Sequence, residues 1–393
     1  MKGNMLIAHG GGPTAVINAS LYGAIQEAKK YEEIGAIYGA VGGSSGILEE
    51  NFIDFKMQPE EVIERLTKTP ASAIGTSRFP LYEAEYEKML EIFKKYNIKY
   101  VLFNGGNGSM DTCGRIYDVA KAEGINVIGI PKTIDNDISI TDHAPGFGSA
   151  ARYIAAATKE VGEDVKSLPI HVSIIEAMGR NAGWITAASA LARKNEGDAP
   201  HLIYLPERAF DEEEFLADVK EQHEKHGGVV VVVSEGLKDK EGTPIAPPIF
   251  KTERATYFGD VGTHLATLVI EKLGIKARSE KPGILGRASI AHQSDVDVQE
   301  AIEAGAYAAK CAVEGKTGAM VGVKRLGTVP YACETILIPI EEVMMNEKAM
   351  PNEFISERGN DVTPEFIQWC KPLIGGELEE FADFKLGTRK EKI

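Results

Sequence analysis

The sequence predicts an α/β protein built on mainly parallel sheets covered by helices. Short β-rich runs alternate with longer helical patterns along most of the chain, which is how strand and crossover helix succeed one another in such sheets. The run GVVVVVSEG is unbroken valine, as expected of a strand buried on both faces. Glycine and polar residues also recur directly after successive apolar runs, at the carboxyl edge where open parallel sheets bind their ligands.

In order, NMLIA is the first strand, followed by the helical pattern PTAVINASLYGAIQEAKKY. Pro13 suits the first helical position there, because its missing N–H has no intrahelical partner to lose. KYVLF precedes SMDTCGRIYDVAKAEG, with Ser109 opening the helix, and NVIGI precedes FGSAARYIAAATKEVGEDV. HVSIIEA with NAGWITAASALARK and HLIYLPE with DEEEFLADVKEQHEKHG continue the alternation. The segment GTVPYACETILIPIEEVMMNEKAMPNEFISERGNDVTPEF lacks clean periodicity and receives no assignment, and the polar end LGTRKEKI is expected to fray.

With 393 residues, 44% hydrophobic and 26% charged, the chain has ordinary globular composition and room for two cores. A net charge of −15 repels polyanions, which argues against nucleic acid or an anionic membrane as partner. A small anionic substrate would require a local basic pocket. Cys113, Cys311, Cys333 and Cys370 are too widely spaced for a zinc or redox motif and read as reduced thiols. The apolar run near the N-terminus is too short for a signal-peptide core, and no stretch approaches a membrane span, so a cytoplasmic protein is expected.

The residues after the strands carry the chemistry. HGGGPT and GGNGS offer two glycine-rich loops, with Gly10, Gly11, Gly106 and Gly108 permitting close backbone approach. Ser109 begins a helix whose free N–H groups favour a phosphate, and two such loops on neighbouring strands would hold one polyphosphate. PKTIDND places Asp135 and Asp137 in a loop after a buried strand. Its structural reading is an Asx-turn and helix cap; its functional reading makes one Asp a base and the other part of a metal network, with Lys132 a point charge on phosphate. MGR adds Gly179 for close approach and Arg180 as a paired donor to phosphate, and Glu235 in SEG would accept from sugar hydroxyls. Arg278 and Arg287 in KARSEKPGILGR form a further candidate phosphate site.

Taken in order, these loops resemble those of the phosphofructokinase family, from the first strand to at least residue 300. GGNGS is similar to its GGDGS or GGDDS loop, PKTIDND to its catalytic loop, and IIEAMGRNAGW to its sugar-phosphate loop; DHAPGFGSA also matches. The resemblance implies a two-domain phosphofructokinase-like fold, with a donor-binding domain over 1–145 rejoined by 237–300, a sugar-phosphate domain over 146–236, and returning helices over 301–393. It implies phosphoryl transfer to the 1-hydroxyl of fructose 6-phosphate with Mg²⁺. Asp135 would be the base, Thr133 would position the reacting groups, and Asp137 would support the metal and the loop. Arg78 would join the two glycine loops at the donor. Thr133, Asp135, Met178, Gly179, Arg180 and Glu235 would hold the sugar phosphate, and Arg278 and Arg287 would meet its 6-phosphate, often across a subunit boundary. That implies a homodimer or homotetramer.

The chain departs from the family at His171, where Arg is common, at Gly286-Arg287, where Gln-Arg is usual, and at Asn107, which replaces the Asp that contacts Mg²⁺. An amide oxygen ligates magnesium without charge. Pyrophosphate-using relatives typically carry Asp where this chain has Gly108, a residue that would crowd and repel a nucleotide α-phosphate. They also carry Lys at the position of Lys132. Exclusion by a carboxylate is taken as the harder constraint, so ATP is the expected donor and pyrophosphate the alternative. A glycine-loop kinase acting on NAD or lipids would lack TIDND followed by MGR, and a non-catalytic sugar-phosphate sensor would have no use for Asp135, Asp137 and Arg180 together.

Overall fold

The structure is a computed structural model that describes residues 2–251 and 256–382. Its strands, in chain order, begin with β1 (Gly3–His9), β2 (Ile34–Ala40), β3 (Phe52–Asp54), β4 (Ile98–Gly105), β5 (Asn126–Pro131), β6 (His171–Ala177) and β7 (Leu202–Tyr204). They continue with β8 (Val229–Ser234), β9 (Pro248–Lys251), β10 (Thr256–Phe258), β11 (Lys276–Glu280), β12 (Ala319–Thr328) and β13 (Tyr331–Pro339). A seven-stranded sheet runs β13-β12-β5-β4-β1-β2-β3, parallel inside and antiparallel at both edges. A four-stranded sheet runs β11-β6-β8-β7 and is wholly parallel, while β9 and β10 form a separate hairpin.

The alternation in the sequence is thus real, and the valine strand β8 is fully buried between β6 and β7. Helices link the parallel strands: Asn107–Ala120 after β4, Phe147–Ser167 after the loop that succeeds β5, and Glu212–His226 before β8. Asp211 caps the last of these by accepting from the N–H groups of Glu213 and Glu214. The first helix begins at Ile17 and not at Pro13: Gly11 takes φ +71°, and Val16, with φ −123°, is the non-helical cap. Helix Ile17–Ala28 packs tightly on Asp295–Val313: a Cβ on Gly23 would sit 2.0 Å from the Ile302 carbonyl, and one on Gly305 would sit 1.9 Å from that of Ser20.

Two boundaries differ from the sequence reading. The segment 237–300 contributes its strand β11 to the smaller sheet, beside β6, and not to the larger one. The chain returns to the larger sheet only through β12 and β13, in the stretch without clean periodicity. That stretch reads poorly because β13 is an edge strand with an alternating, half-exposed face, and the residues after it are short turns. The polar end over 386–393 lies outside the described residues. Among the described residues the four cysteines are free, and no helix is long and apolar enough to cross a membrane.

Candidate active site

Strand register sets the site. His9, Asn104 and Ile130 lie in one row across β1, β4 and β5, so the loops that follow emerge level with one another. In the smaller sheet Ala177 pairs with Ser234, which brings out Met178 and Glu235 together. A cleft of about 520 Å³ lies where these edges meet, lined by Gly10–Thr14, Arg78, Gly106–Ser109, Lys132–Asp135, Asp137, Met178, Glu235 and Arg287.

The glycine loops interlock through one hydroxyl. A Cβ on Gly10 would stand 2.3 Å from Ser109 Oγ and one on Gly105 would stand 2.1 Å from it, so these positions admit no side chain. Ser109 is buried in helix Asn107–Ala120, whose first turn carries no acidic residue. Gly108 is different: a Cβ there would meet nothing within 4 Å.

Three cations converge on the first loop. Lys132 is 3% exposed, and its Nζ donates to the Gly12 carbonyl. A Cβ on Gly12 would lie 2.8 Å from Arg287 Nη1 and 3.7 Å from Arg78 Nη2. Burial, followed by the charge of Arg287, brings the Lys132 ammonium down to about 8. Arg287 Nε is buried and has no partner within the described protein. This is the basic pocket that an anionic substrate requires of a chain with net charge −15.

The carboxylates line the same cleft. Thr133 Oγ1 accepts from the Asp135 N–H at 3.0 Å and donates to Asp137 Oδ1 at 3.2 Å, so one hydroxyl orients both residues. Burial raises the Asp135 carboxyl to about 6, reinforced by the negative charges of Asp137 and Glu235. Asn107 Nδ2 donates to Asp137 Oδ2 at 2.9 Å, which turns its own Oδ1 away, buried and unpartnered. An orphaned amide oxygen beside a carboxylate suits a small hard cation whose remaining ligands are phosphate and water oxygens. Among the described residues no group of three or more His, Cys, Asp and Glu forms a metal cage by itself.

Arg180, Gly179 and Arg278 lie outside this cleft. Arg180 is exposed, and its carbonyl packs so closely under Gly236 that a Cβ there would clash at 1.7 Å. Gly179 is buried with φ +118° and makes the turn without facing the cleft. Arg278 is exposed on β11, an edge strand, near His171 of β6, where burial and then the Arg278 charge lower the imidazole pKa. Arg287, expected beside it, is instead grouped with Lys132 and Arg78 in its own chain. The cleft also uses Ser44, Ser77, Phe79 and Glu347, which sequence reasoning missed. Ser77 bridges to Gly10, a pairing between distant segments that no local motif announces.

A family model described as Phosphofructokinase matches residues 4–312. A pyrophosphate–fructose 6-phosphate 1-phosphotransferase of Rhodospirillum rubrum is 40% identical, covering 95% of this chain and 95% of that protein. A sulfofructose kinase of Alkalicoccus urumqiensis is 34% identical over 94% of each. The crystal structure of a pyrophosphate-dependent phosphofructokinase from Marinobacter aquaeolei superposes with a TM-score of 0.88 at 37% identity, covering 99% of this chain and 95% of that one.

These findings overturn the expectation of ATP as donor, since full-length relatives at 37–40% identity are named for pyrophosphate. The physical reason lies in the weight given to Gly108. Open space at that position admits a larger donor but attracts none, whereas Lys132, Arg78 and Arg287 supply a concentrated positive field. In its motifs, its fold and its full-length relatives, the chain is a phosphotransferase with an alcohol group as acceptor and belongs to the phosphofructokinase family.

Proposed function

We propose that this protein transfers a phosphoryl group between pyrophosphate and the 1-hydroxyl of fructose 6-phosphate. The observation that carries the reading is the convergence of Lys132, Arg78 and Arg287 on the Gly11–Gly12 backbone, in the cleft that Asp135 also lines. A compact diphosphate is neutralised there without contacts to a base or ribose. Phosphoryl transfer asks for alignment and charge neutralisation more than covalent help, and the cleft provides both.

Asp135 takes the proton of the sugar hydroxyl as the new P–O bond forms. A carboxylate at about 6 is ionised at neutral pH yet more basic than a solvated one. Lys132 stays on the leaving phosphate and, in the reverse direction, on the attacking one. Glu235 and Met178 approach from the smaller sheet and meet the sugar. Arg180, Gly179 and Arg278 belong to the sugar-phosphate side in this reading, and the exposure of Arg278 on an edge strand supports a homodimer or homotetramer in which that strand is covered. Asn107 and Asp137 are the residues that would hold Mg²⁺ together with donor oxygens, and the ion would supply neutralisation of phosphate charge. The protein works in the cytoplasm under this reading.

Kinetics with pyrophosphate and ATP side by side, with fructose 6-phosphate and Mg²⁺, test the proposal. Pyrophosphate should give a kcat/KM at least about a hundredfold higher. A preference for ATP overturns the donor, transfer to sulfofructose in place of fructose 6-phosphate overturns the acceptor, and binding without turnover leaves a sensor. Lys132→Met should lower kcat/KM for pyrophosphate by about tenfold to a hundredfold, the value of ~1.5–3 kcal/mol for a hydrogen bond to a charged group. An unaltered value removes Lys132 from the donor site.

A further inference from the structure

The loop that carries Asp135 and Asp137 continues through residues 138–142 in a conformation that local preference opposes at Ile140. Asn136 has φ +52° and Ile140, a β-branched residue that is 53% exposed, has φ +69°. Asn tolerates left-handed backbone, but at a β-branched residue such as Ile140 it costs on the order of 1 kcal/mol or more and persists only where the surroundings impose it. The segment that imposes it comes from far along the chain. Glu347 pairs antiparallel with Ile138, and the Lys348 N–H donates to the Asp137 carbonyl at 2.7 Å. The Lys348 side chain then crosses the loop, and its Nζ donates to the carbonyls of Thr141 and Asp142, both at 2.9 Å. The ammonium rests 5.2 Å from the centre of the Trp184 ring, and among the described residues no carboxylate forms an ion pair with it. Lys348 is only half-buried, yet its ammonium engages two loop carbonyls and a ring face and not an ion pair, so its placement calls for a reason.

We infer that Lys348 is a positioning residue for phosphoryl transfer: it clamps both ends of residues 137–142 and thereby fixes the Asp137 carboxylate against Thr133 and Asn107. Asp137 receives hydrogen bonds from those two side chains, at 3.2 and 2.9 Å, only while its own backbone stays in place. The other end of the clamp is anchored in turn, since the Asp142 carboxylate accepts from Arg325 and from Trp369 Nε1 at 3.2 Å. Lys348 does not line the cleft, so losing it should disturb the reacting geometry and leave ground-state binding nearly intact.

This rests on the chain being an active phosphotransferase and not on which donor it uses. The test is steady-state kinetics of the full chain with whichever donor the unmodified protein turns over, with thermal unfolding alongside. Lys348→Met should lower kcat at least about tenfold with KM for fructose 6-phosphate changed less than about threefold, Lys348→Arg should recover part of the loss, and Asn346→Ala, in the same exposed segment, should match the parent. If Lys348→Met does not fold, Lys348→Gln and Lys348→Arg decide the matter, with kcat ranked Lys, Arg, Gln at similar KM. Equal kcat in the folded variants and the parent overturns the assignment, as does a loss shared equally by kcat and thermal stability and fully restored by cooling. An unmodified chain inactive with every donor fails the functional reading first and is thereby distinguished.

Discussion

Asp135→Ser is expected to lower kcat by ~10²–10⁴-fold, the usual span for loss of a general base, with KM for fructose 6-phosphate changed only modestly. Serine keeps a small polar group against Thr133 but cannot accept the hydroxyl proton. The pH profile gives a second readout. The carboxyl is held at about 6 by burial and by Asp137 and Glu235. The base form is therefore lost as pH falls through about 6, and kcat/KM of the unmodified protein should drop about tenfold per unit below it. That acid limb should be absent from the serine variant. Near-normal turnover, or an acid limb that survives the substitution, removes Asp135 from the role.

The second large effect concerns stability. His143 is 2% exposed, with Nδ1 at 2.8 Å from Asp142 Oδ2 and Nε2 at 2.5 Å from Glu300 Oε2. Burial opposes the imidazolium, but the charge of Glu300 and the hydrogen bonds to both carboxylates prevail and hold it up to about 9. His143→Phe should destabilise the protein by about 3–5 kcal/mol, because it leaves Glu300 and Asp142 without their shared cation. Arg325 on Asp142, and Tyr331 and Cys333 on Glu300, soften the loss towards the lower figure. The sign with pH follows from a raised folded value. The contribution is fully present below the free-histidine value of 6.5 and is lost as pH rises through about 9. Urea midpoints across pH 6 to 10 check it: the parent should weaken progressively between 6.5 and about 9 and level off above that, and the variant should show no such decline. Equal midpoints at neutral pH would mean that the imidazolium adds nothing to the fold.

This network explains why a distant part of the chain matters to the catalytic loop. Asp142 and His143 sit in DHAPGFGSA, just after TIDND, and their partners Glu300, Arg325 and Trp369 come from three later elements. Lys348 ties the same assembly to Asp137, its backbone N–H on the Asp137 carbonyl and its side-chain Nζ on the carbonyls of Thr141 and Asp142. A pattern reading finds TIDND because its residues are adjacent. It cannot find Lys348, whose surroundings, IEEVMMNEKAMP, have no period and no motif.

The sequence by itself determined the α/β class, the strands β1, β4, β5, β6 and β8, and the loops that carry Gly10, Ser109, Lys132, Asp135, Met178 and Glu235. It could do so because a parallel sheet puts the residues after its strands on one edge, and order along the chain becomes proximity in space. Only the tertiary structure decided that Arg287 and Arg78 meet Lys132, that Arg180 and Arg278 stay outside the cleft, and that β11 joins the smaller sheet. Those outcomes depend on strand order and on side chains from segments hundreds of residues apart, which periodicity does not encode. The donor illustrates the division. Gly108 is legible as an absence, yet an absence selects nothing, whereas the converging charges in the cleft that Asp135 also lines exist only once the chain has folded.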